Sequence, residues 1–275
     1  MDGSFELHLQ RRGLFSSDVA AYDTARPGYP EPVYELLRQV CGLGPGTTVV
    51  EVGPGTGQAT ARLLDLGASV TAVELSAEFG AFLEARFAGR ALSVVVGPFE
   101  DVALEPASFD IVAAATSFHW VPTEAGLRRS AEVLRPGGWL ALWWTYFGDP
   151  DRPDPFRDAL LPIFEELAPS LIDAFPGAAF TPGAHPYAID APARTAEIDA
   201  TASFGPVRSD AVAWTGRHTA AEARALFATY SPCLALPESQ RAVVLDAIEE
   251  LATDAFGGVV ARPYLTQLYL AQRRP

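Results

Sequence analysis

Short apolar runs and stretches of helical periodicity alternate through the first half of the chain. The apolar and β-branched runs predict strands at 48–52, 69–73, 92–96, 109–115 and 139–144. Apolar residues that recur at helical spacing predict helices at 32–40, 58–66, 77–88 and 124–134. Strands that alternate with helices in this order predict an α/β fold built on a parallel sheet.

The second half of the chain has a less regular pattern. It predicts helices at 156–167, 220–230 and 238–253, and strands at 207–215 and 259–271. Four prolines predict irregular structure over 173–193, and the proline- and glycine-rich segment 22–30 is not expected to form a helix interior. The run 139–144 is apolar without alternation, which is typical of a strand buried on both faces. Trp143 and Trp144 should then point to opposite faces.

The amino-acid composition restricts the expected cellular location and binding partners of the protein. With 34 acidic and 20 basic residues among 275, the net charge of −14 repels phosphodiester backbones, so nucleic acid is not expected to bind. No apolar stretch is long enough to span a bilayer, and the first residues lack the apolar core of a signal peptide, so we expect a cytoplasmic protein. Cys41, Cys233 and the four histidines have no metal-like spacing, so neither a metal site nor a disulfide framework is expected.

The most informative motif follows the first predicted strand, where an acid, Glu51, precedes Gly53, Gly55 and Gly57. Glycines at alternating positions remove side chains and permit backbone angles that other residues resist, so this turn can approach a nucleoside-like ligand closely. A dinucleotide-binding turn would have its last glycine at Gln58. An acid so near the turn would also repel a diphosphate.

This segment resembles motif I of the class I S-adenosylmethionine (SAM)-dependent methyltransferases, and the Leu-Arg-Pro-Gly-Gly sequence at 134–138 resembles a turn of the same family. SAM has no phosphate and carries an ammonium and a sulfonium, which suits a nearby acid. The resemblance implies a Rossmann-like, seven-stranded twisted sheet in a single domain over 1–275. The nucleotide-binding core would span 32–147, the segments 207–215 and 259–271 would add a sixth and an antiparallel seventh strand, and the intervening segments would form a helical cap.

Residues after the second and third strands are expected to contact SAM. Glu74 lies 21 residues after Gly53, where a carboxylate can accept both ribose hydroxyls, and Leu75 follows it. Alone, Glu74 would more simply be an exposed acid at the start of a helix. The exit of the third strand resembles the trans-aconitate methyltransferase branch, in which Phe99 would lie against adenine and Glu100 would accept from its amine. The alternative is a core phenylalanine beside a solvated acid.

The end of the fourth strand resembles the same branch, in which a Phe-His-Trp-like sequence borders the methyl group and the acceptor. Thr116 would offer a backbone carbonyl to the SAM ammonium, and Phe118 would also border the cofactor. His119 is placed where a general base is useful, with a packing role as the alternative. Trp120 would contact the acceptor.

The segment 22–30 resembles the Tyr-…-Arg-Pro-x-Tyr-Pro segment of that branch. Tyr22 would close over the sulfonium through the face of its ring, and Arg26 would pair with the methionine carboxylate. The alternative is a surface arm packed against the sheet edge. Tyr146 and Tyr230 would line the acceptor pocket, although core packing explains Tyr230 equally well.

The expected function is therefore methyl transfer from SAM to a small organic acceptor, at oxygen, carbon or nitrogen, with S-adenosylhomocysteine (SAH) as the product. Alignment of the two substrates and their removal from water can be sufficient to catalyse such a displacement. A strongly anionic acceptor would need arginines such as Arg194, Arg208 or Arg217 in its site. A SAM-binding cyclase, a SAM- or SAH-binding protein without chemistry, and a methyltransferase of macromolecules remain alternatives. The sequence does not specify the oligomeric state.

Overall fold

The computed structural model describes residues 19–174 and 187–275. These residues form two compact units. The helical unit contains the described residues 19–27, 147–174 and 213–265, and the sheet unit contains 28–146, 187–212 and 266–275. Each unit is built from segments that are distant in sequence, so its core depends on tertiary contacts.

The sheet unit has the predicted alternation of strands and helices. Its strands are β1 (Thr48–Val52), β2 (Ser69–Glu74), β3 (Leu92–Val96), β4 (Phe109–Ala115) and β5 (Leu134–Tyr146). Its helices are Glu31–Cys41, Gln58–Asp65, Ala77–Arg86, Thr123–Val133 and Ala191–Asp199, with short 3-10 turns at Phe118–Trp120 and Tyr187–Ile189. Every strand and helix predicted over 32–144 is confirmed, most of them to within two residues.

Two further strands complete the sheet. With β6 (Arg208–Thr219) and β7 (Val259–Gln272), the order is β3-β2-β1-β4-β5-β7-β6. Strands β1 to β5 pair in parallel. Just beyond β7, Gly137 N donates to Arg273 O and Arg273 N donates to Gly138 O, which is the exchange expected of antiparallel neighbours. The predicted seven-stranded, Rossmann-like sheet is confirmed.

Helices cover both faces of the sheet in this unit. Trp143 belongs to the core cluster that includes Leu37 and Leu63, and Trp144 belongs to the cluster that includes Leu127. Both indoles are at most 2% exposed. Because successive side chains of a strand alternate in direction, the two tryptophans point to opposite faces, as predicted.

The helical unit contains its own apolar core. Its helices are Val19–Ala25, Pro155–Leu167, Ser170–Ala174, Ala220–Ala228, Ser231–Leu234 and Glu238–Asp254. A buried ion pair lies beside this core, in which Arg262 Nε and Nη2 donate to Asp154 Oδ2 at 3.0 and 2.8 Å. Asp154 also accepts from the backbone N–H of Arg157, so it ties the first turn of one helix to β7.

Two predictions about element boundaries are wrong in part. The helix Val19–Ala25 extends through 22–25, because the helix-breaking residues of the segment 22–30 all follow Ala25. Strand β5 begins at Leu134, five residues before the predicted start, so the expected turn at 134–138 is strand. The pairing of β4 with β5 shifts register between Phe109 and Ile111, which accommodates the added residues.

The prediction of irregular structure over 173–193 is also wrong at both ends of this stretch, where 173–174 and 191–193 are helical. The helix Ala191–Asp199 begins with Pro192 in its first turn, where a missing N–H is tolerated, and Asp190 accepts from Ala193 N at 3.1 Å. Ser170–Ala174 is likewise helical. Residues 175–186 lie outside the described residues.

Of the helices described, none has the length and apolar character required to cross a bilayer. Within 19–174 and 187–275, no group of three or more His, Cys, Asp or Glu side chains is arranged to hold a metal ion.

Candidate active site

The three glycines of the turn after β1 have left-handed backbone angles, with φ of 63°, 59° and 92° in chain order. A Cβ at Gly53 would lie 2.8 Å from Cβ of Ser117, and one at Gly57 would lie 2.6 Å from the ring of Phe87. At Gly55, no atom of the described residues lies within 4 Å of that position. Gly53 and Gly57 therefore serve packing, while Gly55 leaves space above the turn that a ligand can use.

Glu74 holds this turn from the end of β2. Its two carboxylate oxygens accept from the backbone N–H groups of Gly55 and Ser76, each at 3.0 Å. Glu74 is 8% exposed, so the alternative of a solvent-exposed acid is wrong, whereas the neighbouring Leu75 is 37% exposed. A carboxylate offers about four lone-pair positions, so it retains capacity for hydroxyl donors.

Glu51 is fully buried in β1. Thr60 Oγ1 donates to Glu51 Oε2 at 2.6 Å, while Oε1 has no hydrogen-bond partner among the residues described. Burial raises the pKa of Glu51 to about 7, and the charge of Glu74 acts in the same direction. A buried carboxylate oxygen without a hydrogen-bond partner favours a positively charged neighbour.

Phe99 and Glu100 follow β3. Phe99 is 3% exposed and belongs to the same core cluster as Trp144, as the packing alternative predicts. Glu100 is half-buried in the following turn. Contact of either residue with adenine stays a prediction.

The end of β4 has an unusual backbone geometry. Thr116 has a φ of 55°, which is costly for a β-branched residue. Tyr29 donates its hydroxyl to Thr116 Oγ1 at 3.0 Å, and Thr116 N donates to Trp143 O at 2.7 Å. Ser117 Oγ donates to the carbonyl of Val52 at the end of β1. These bonds fix the ends of β1, β4 and β5 to one another.

His119 lies in the 3-10 turn that follows. Trp144 donates its Nε1–H to His119 Nδ1 at 3.0 Å. Indole nitrogen is a donor only, so Nδ1 has no proton and the neutral ring carries its proton on Nε2. The rings of Trp120 and Tyr187 lie 4.7 and 6.1 Å from the His119 ring, centroid to centroid. The histidine is thus part of an aromatic cluster in the sheet unit.

Arg26 and Tyr230 come together in the helical unit. The Arg26 guanidinium lies over the rings of Tyr230 and Phe147, at 5.1 and 5.4 Å from their centroids, and Nη2 donates to Thr229 O at 3.0 Å. Tyr230 is 6% exposed and packs in the apolar core, which agrees with the packing alternative. Contact of Arg26 with the methionine carboxylate, and of Tyr230 with an acceptor, stays a prediction.

The remaining predicted residues have these positions. Phe118 is 1% exposed in the core of the sheet unit, and Trp120 and Tyr146 are half-buried. Tyr22 lies in the helix Val19–Ala25, but its side chain lies outside the described part of the structure. Sequence patterns alone do not identify Tyr187, which lies within the stretch 173–193 that was expected to be irregular. Tyr29 belongs to the Arg-Pro-x-Tyr-Pro sequence, and this motif is the signal by which it could have been identified from the sequence.

Comparisons with known proteins agree with this arrangement. A family model described as a methyltransferase domain matches residues 50–142, which include the glycine turn and β2 to β4. An uncharacterized methyltransferase of Schizosaccharomyces pombe is 32% identical over 177 residues, 61% of this chain and 68% of that protein. An uncharacterized methyltransferase of Mycobacterium tuberculosis is 28% identical over 256 residues, which cover 92% of each chain.

Among solved structures, Haemonchus contortus phosphoethanolamine N-methyltransferase 2 in complex with phosphomonomethylethanolamine and S-adenosylhomocysteine is similar in fold. The TM-score is 0.59 at 14% identity, and the match covers 98% of this chain and 60% of that one. The sheet order, the glycine turn with its two acids, the domain match and the S. pombe relative agree on one assignment. The chain belongs to the class I SAM-dependent methyltransferases.

Proposed function

We propose that the protein transfers the methyl group of SAM to a small organic acceptor that binds beside the 3-10 turn Phe118–Trp120. The observation that carries this proposal is the aromatic cluster of His119, Trp120, Trp144 and Tyr187 at the end of β4. Apolar and aromatic walls with a few fixed polar groups are typical of small-molecule sites. The net charge of −14 argues against an RNA or DNA acceptor.

The residues around the glycine turn fit SAM. SAM supplies a methyl group that is activated by positively charged sulfur. Glu74 would accept the ribose hydroxyls, since two backbone N–H groups already orient its carboxylate beside the space at Gly55. The unsatisfied oxygen of Glu51 would compensate positive charge on the cofactor. Phe99 and Glu100 would contact adenine.

His119 remains the catalytic residue of this proposal. Since Trp144 occupies the lone pair of Nδ1, the proton on Nε2 would hydrogen-bond an oxygen of the acceptor and hold it in line with the methyl group. A role as base would require the Trp144 bond to break first. Thr116, Phe118 and Trp120 would border the cofactor and the acceptor.

The finer assignments from the sequence belong to the same proposal. The Phe99-Glu100 pair and the Phe118–Trp120 sequence support the trans-aconitate methyltransferase branch. Tyr22 and Arg26 would close over the methionine end of SAM, and Tyr146 and Tyr230 would contact the acceptor. Both units would belong to one methyltransferase domain in the cytoplasm.

Mass analysis of reaction products tests this function. The protein is incubated with SAM and separate pools of carboxylic acids, phenols, amines and RNA. A product that gains one methyl group, with release of SAH, from a small-molecule pool supports the proposal. A rearranged product of unchanged mass indicates cyclisation, tight SAM binding without product indicates a binding protein, and methylated RNA indicates a macromolecular acceptor.

A further inference from the structure

The carbonyl of Thr116 is turned out of the sheet at the end of β4. Thr116 N donates to Trp143 O at 2.7 Å, which continues the parallel pairing of β4 with β5. In a regular parallel pair, the Thr116 carbonyl would then accept from Thr145 N. Here Thr145 N donates to the hydroxyl oxygen Oγ1 at 3.4 Å, and Thr116 has a φ of 55°. The side chain thus takes the place of the carbonyl in the pairing.

Tyr29 supports this conformation of Thr116. Its hydroxyl donates to Thr116 Oγ1 at 3.0 Å, so the Tyr29 hydroxyl and Thr145 N both donate to one oxygen. The Tyr29 ring lies edge-on to the Trp143 ring, with 5.7 Å between centroids and 86° between planes. Trp143 therefore contacts Tyr29 through its ring and binds Thr116 through its carbonyl. A left-handed angle is costly for a β-branched residue and persists only where the surroundings support it.

The end of β4 lies against the glycine turn. Ser117, the residue after Thr116, donates to the carbonyl of Val52, and a Cβ at Gly53 would lie 2.8 Å from the Ser117 Cβ. Ligands of open α/β sheets bind at the carboxyl ends of the strands, where Thr116 also lies. Because its carbonyl does not pair with β5, it can accept a hydrogen bond from the ammonium of SAM.

We infer that Tyr29 is a positioning residue for SAM, an inference that rests on the proposed function. By holding the Thr116 hydroxyl in the pairing with β5, Tyr29 keeps the Thr116 carbonyl available to the amino-acid end of the cofactor. Tyr29 acts through Thr116 and does not have to touch the ligand. The adenosine end would bind at other residues, Glu74 and the exit of β3. Loss of the Tyr29 hydroxyl should therefore weaken recognition of the amino-acid group and leave that of adenosine unchanged.

Titration calorimetry with SAH and with methylthioadenosine, which has the adenosine and the sulfur of SAH but no amino-acid group, tests this role. Tyr29→Phe keeps the ring beside Trp143 and removes the donor. We expect the affinity for SAH to fall about tenfold and the affinity for methylthioadenosine to stay at the wild-type value. Tyr34→Phe is the control, because the buried Tyr34 hydroxyl has no hydrogen-bond partner among the described residues. It should change neither affinity.

A second comparison uses Thr116. In Thr116→Gly the hydroxyl is absent and glycine adopts the left-handed angle without support, so adding Tyr29→Phe should have no further effect on SAH affinity. Unchanged SAH affinity in Tyr29→Phe, an equal loss for both ligands, or a further loss in the Thr116→Gly background overturns the inference. Methyl transfer is assayed separately. Wild-type protein that binds SAH but methylates no acceptor contradicts the proposed function and does not alter the titration.

Discussion

Trp144 and His119 are joined by a hydrogen bond in which the indole Nε1–H donates to the imidazole Nδ1, with 3.0 Å between the nitrogens. The two residues lie on different elements, β5 and the 3-10 turn after β4. The bond fixes both the orientation and the tautomer of the histidine. A buried strand residue thereby determines what the proposed catalytic residue can do.

Replacing either residue tests this relationship. His119→Ala should lower kcat by about 10²-fold or more with unchanged SAM affinity, a loss typical of a group that acts on a reacting proton or oxygen. Trp144→Phe keeps an aromatic ring and removes the donor, so kcat should fall by a smaller factor, about tenfold. Turnover measured by SAH release, with SAM affinity from calorimetry, checks both values. Near-normal turnover of His119→Ala would reassign His119 to packing.

Removal of the Glu74 carboxylate should weaken cofactor binding. Glu74→Ala would remove the two charge-assisted hydrogen bonds that we propose to ribose, and should reduce the free energy of SAM binding by about 1–3 kcal/mol. The control is Glu78→Ala, which removes an equal charge from an exposed position in the next helix. Titration calorimetry measures both variants. Equal SAM affinity in wild type and Glu74→Ala would remove Glu74 from the cofactor site.

The raised pKa of Glu51 predicts a pH dependence of stability. Its pKa is about 7 in the folded protein and 4.5 in the reference state, so between these values the folded protein retains a proton that the unfolded chain releases. This contribution is fully present below pH 4.5 and is lost as the pH rises through 7, and it amounts to about 3 kcal/mol in the free energy of unfolding. Glu51→Gln cannot ionise, so the stability of this variant should lack that pH dependence.

Urea unfolding at pH 5 and pH 8 measures this effect. The wild type should lose more stability between the two pH values than Glu51→Gln, by about 3 kcal/mol. Glu78→Gln, at an exposed site, should behave as the wild type does. The same pH dependence in wild type and Glu51→Gln would show that Glu51 does not retain a proton on folding.

Substitution of Gly57 should mainly reduce stability, whereas substitution of Gly55 should mainly weaken cofactor binding. Gly57→Ala places a methyl group against Phe87 and Leu83 at a φ of 92°, so it should destabilise the fold by about 2–4 kcal/mol. Gly55→Ala meets no described atom and should cost only the strain of its left-handed angle, about 1 kcal/mol, but should weaken SAM binding. Thermal unfolding and calorimetry measure the two effects. Equal losses of stability in Gly57→Ala and Gly55→Ala would contradict the assignment of Gly57 to packing and of Gly55 to ligand binding.

Much of the sheet unit was predictable because its signals are local. Strands β1, β3 and β4 are β-branched or apolar runs between glycines and prolines, and their predicted bounds match the structure. The place of Glu74 after the second strand was predictable from its spacing to the glycine turn, whereas its bonds to Gly55 and Ser76 were not, and its contact with ribose stays a prediction. In such segments the pattern of apolar and polar side chains alone specifies the secondary structure.

The partners of the site residues were not predictable, because they depend on packing between distant segments. Trp144 is 25 positions from His119, and their hydrogen bond depends on where β5 lies beside β4. Tyr29 is 87 positions from Thr116. Arg194 follows a proline-rich segment whose pattern resembles that of an exposed loop, and only tertiary contacts show that it is buried.

The left-handed backbone of Thr116 has a consequence for attempts to make the enzyme more heat-resistant. Glycine adopts such an angle without the 1–3 kcal/mol that a β-branched residue loses there, so selection for survival at high temperature would favour Thr116→Gly. That exchange would also delete the hydroxyl that accepts a hydrogen bond from Tyr29 next to the proposed site. Heat resistance and the proposed activity would therefore place opposite requirements on the Thr116 side chain.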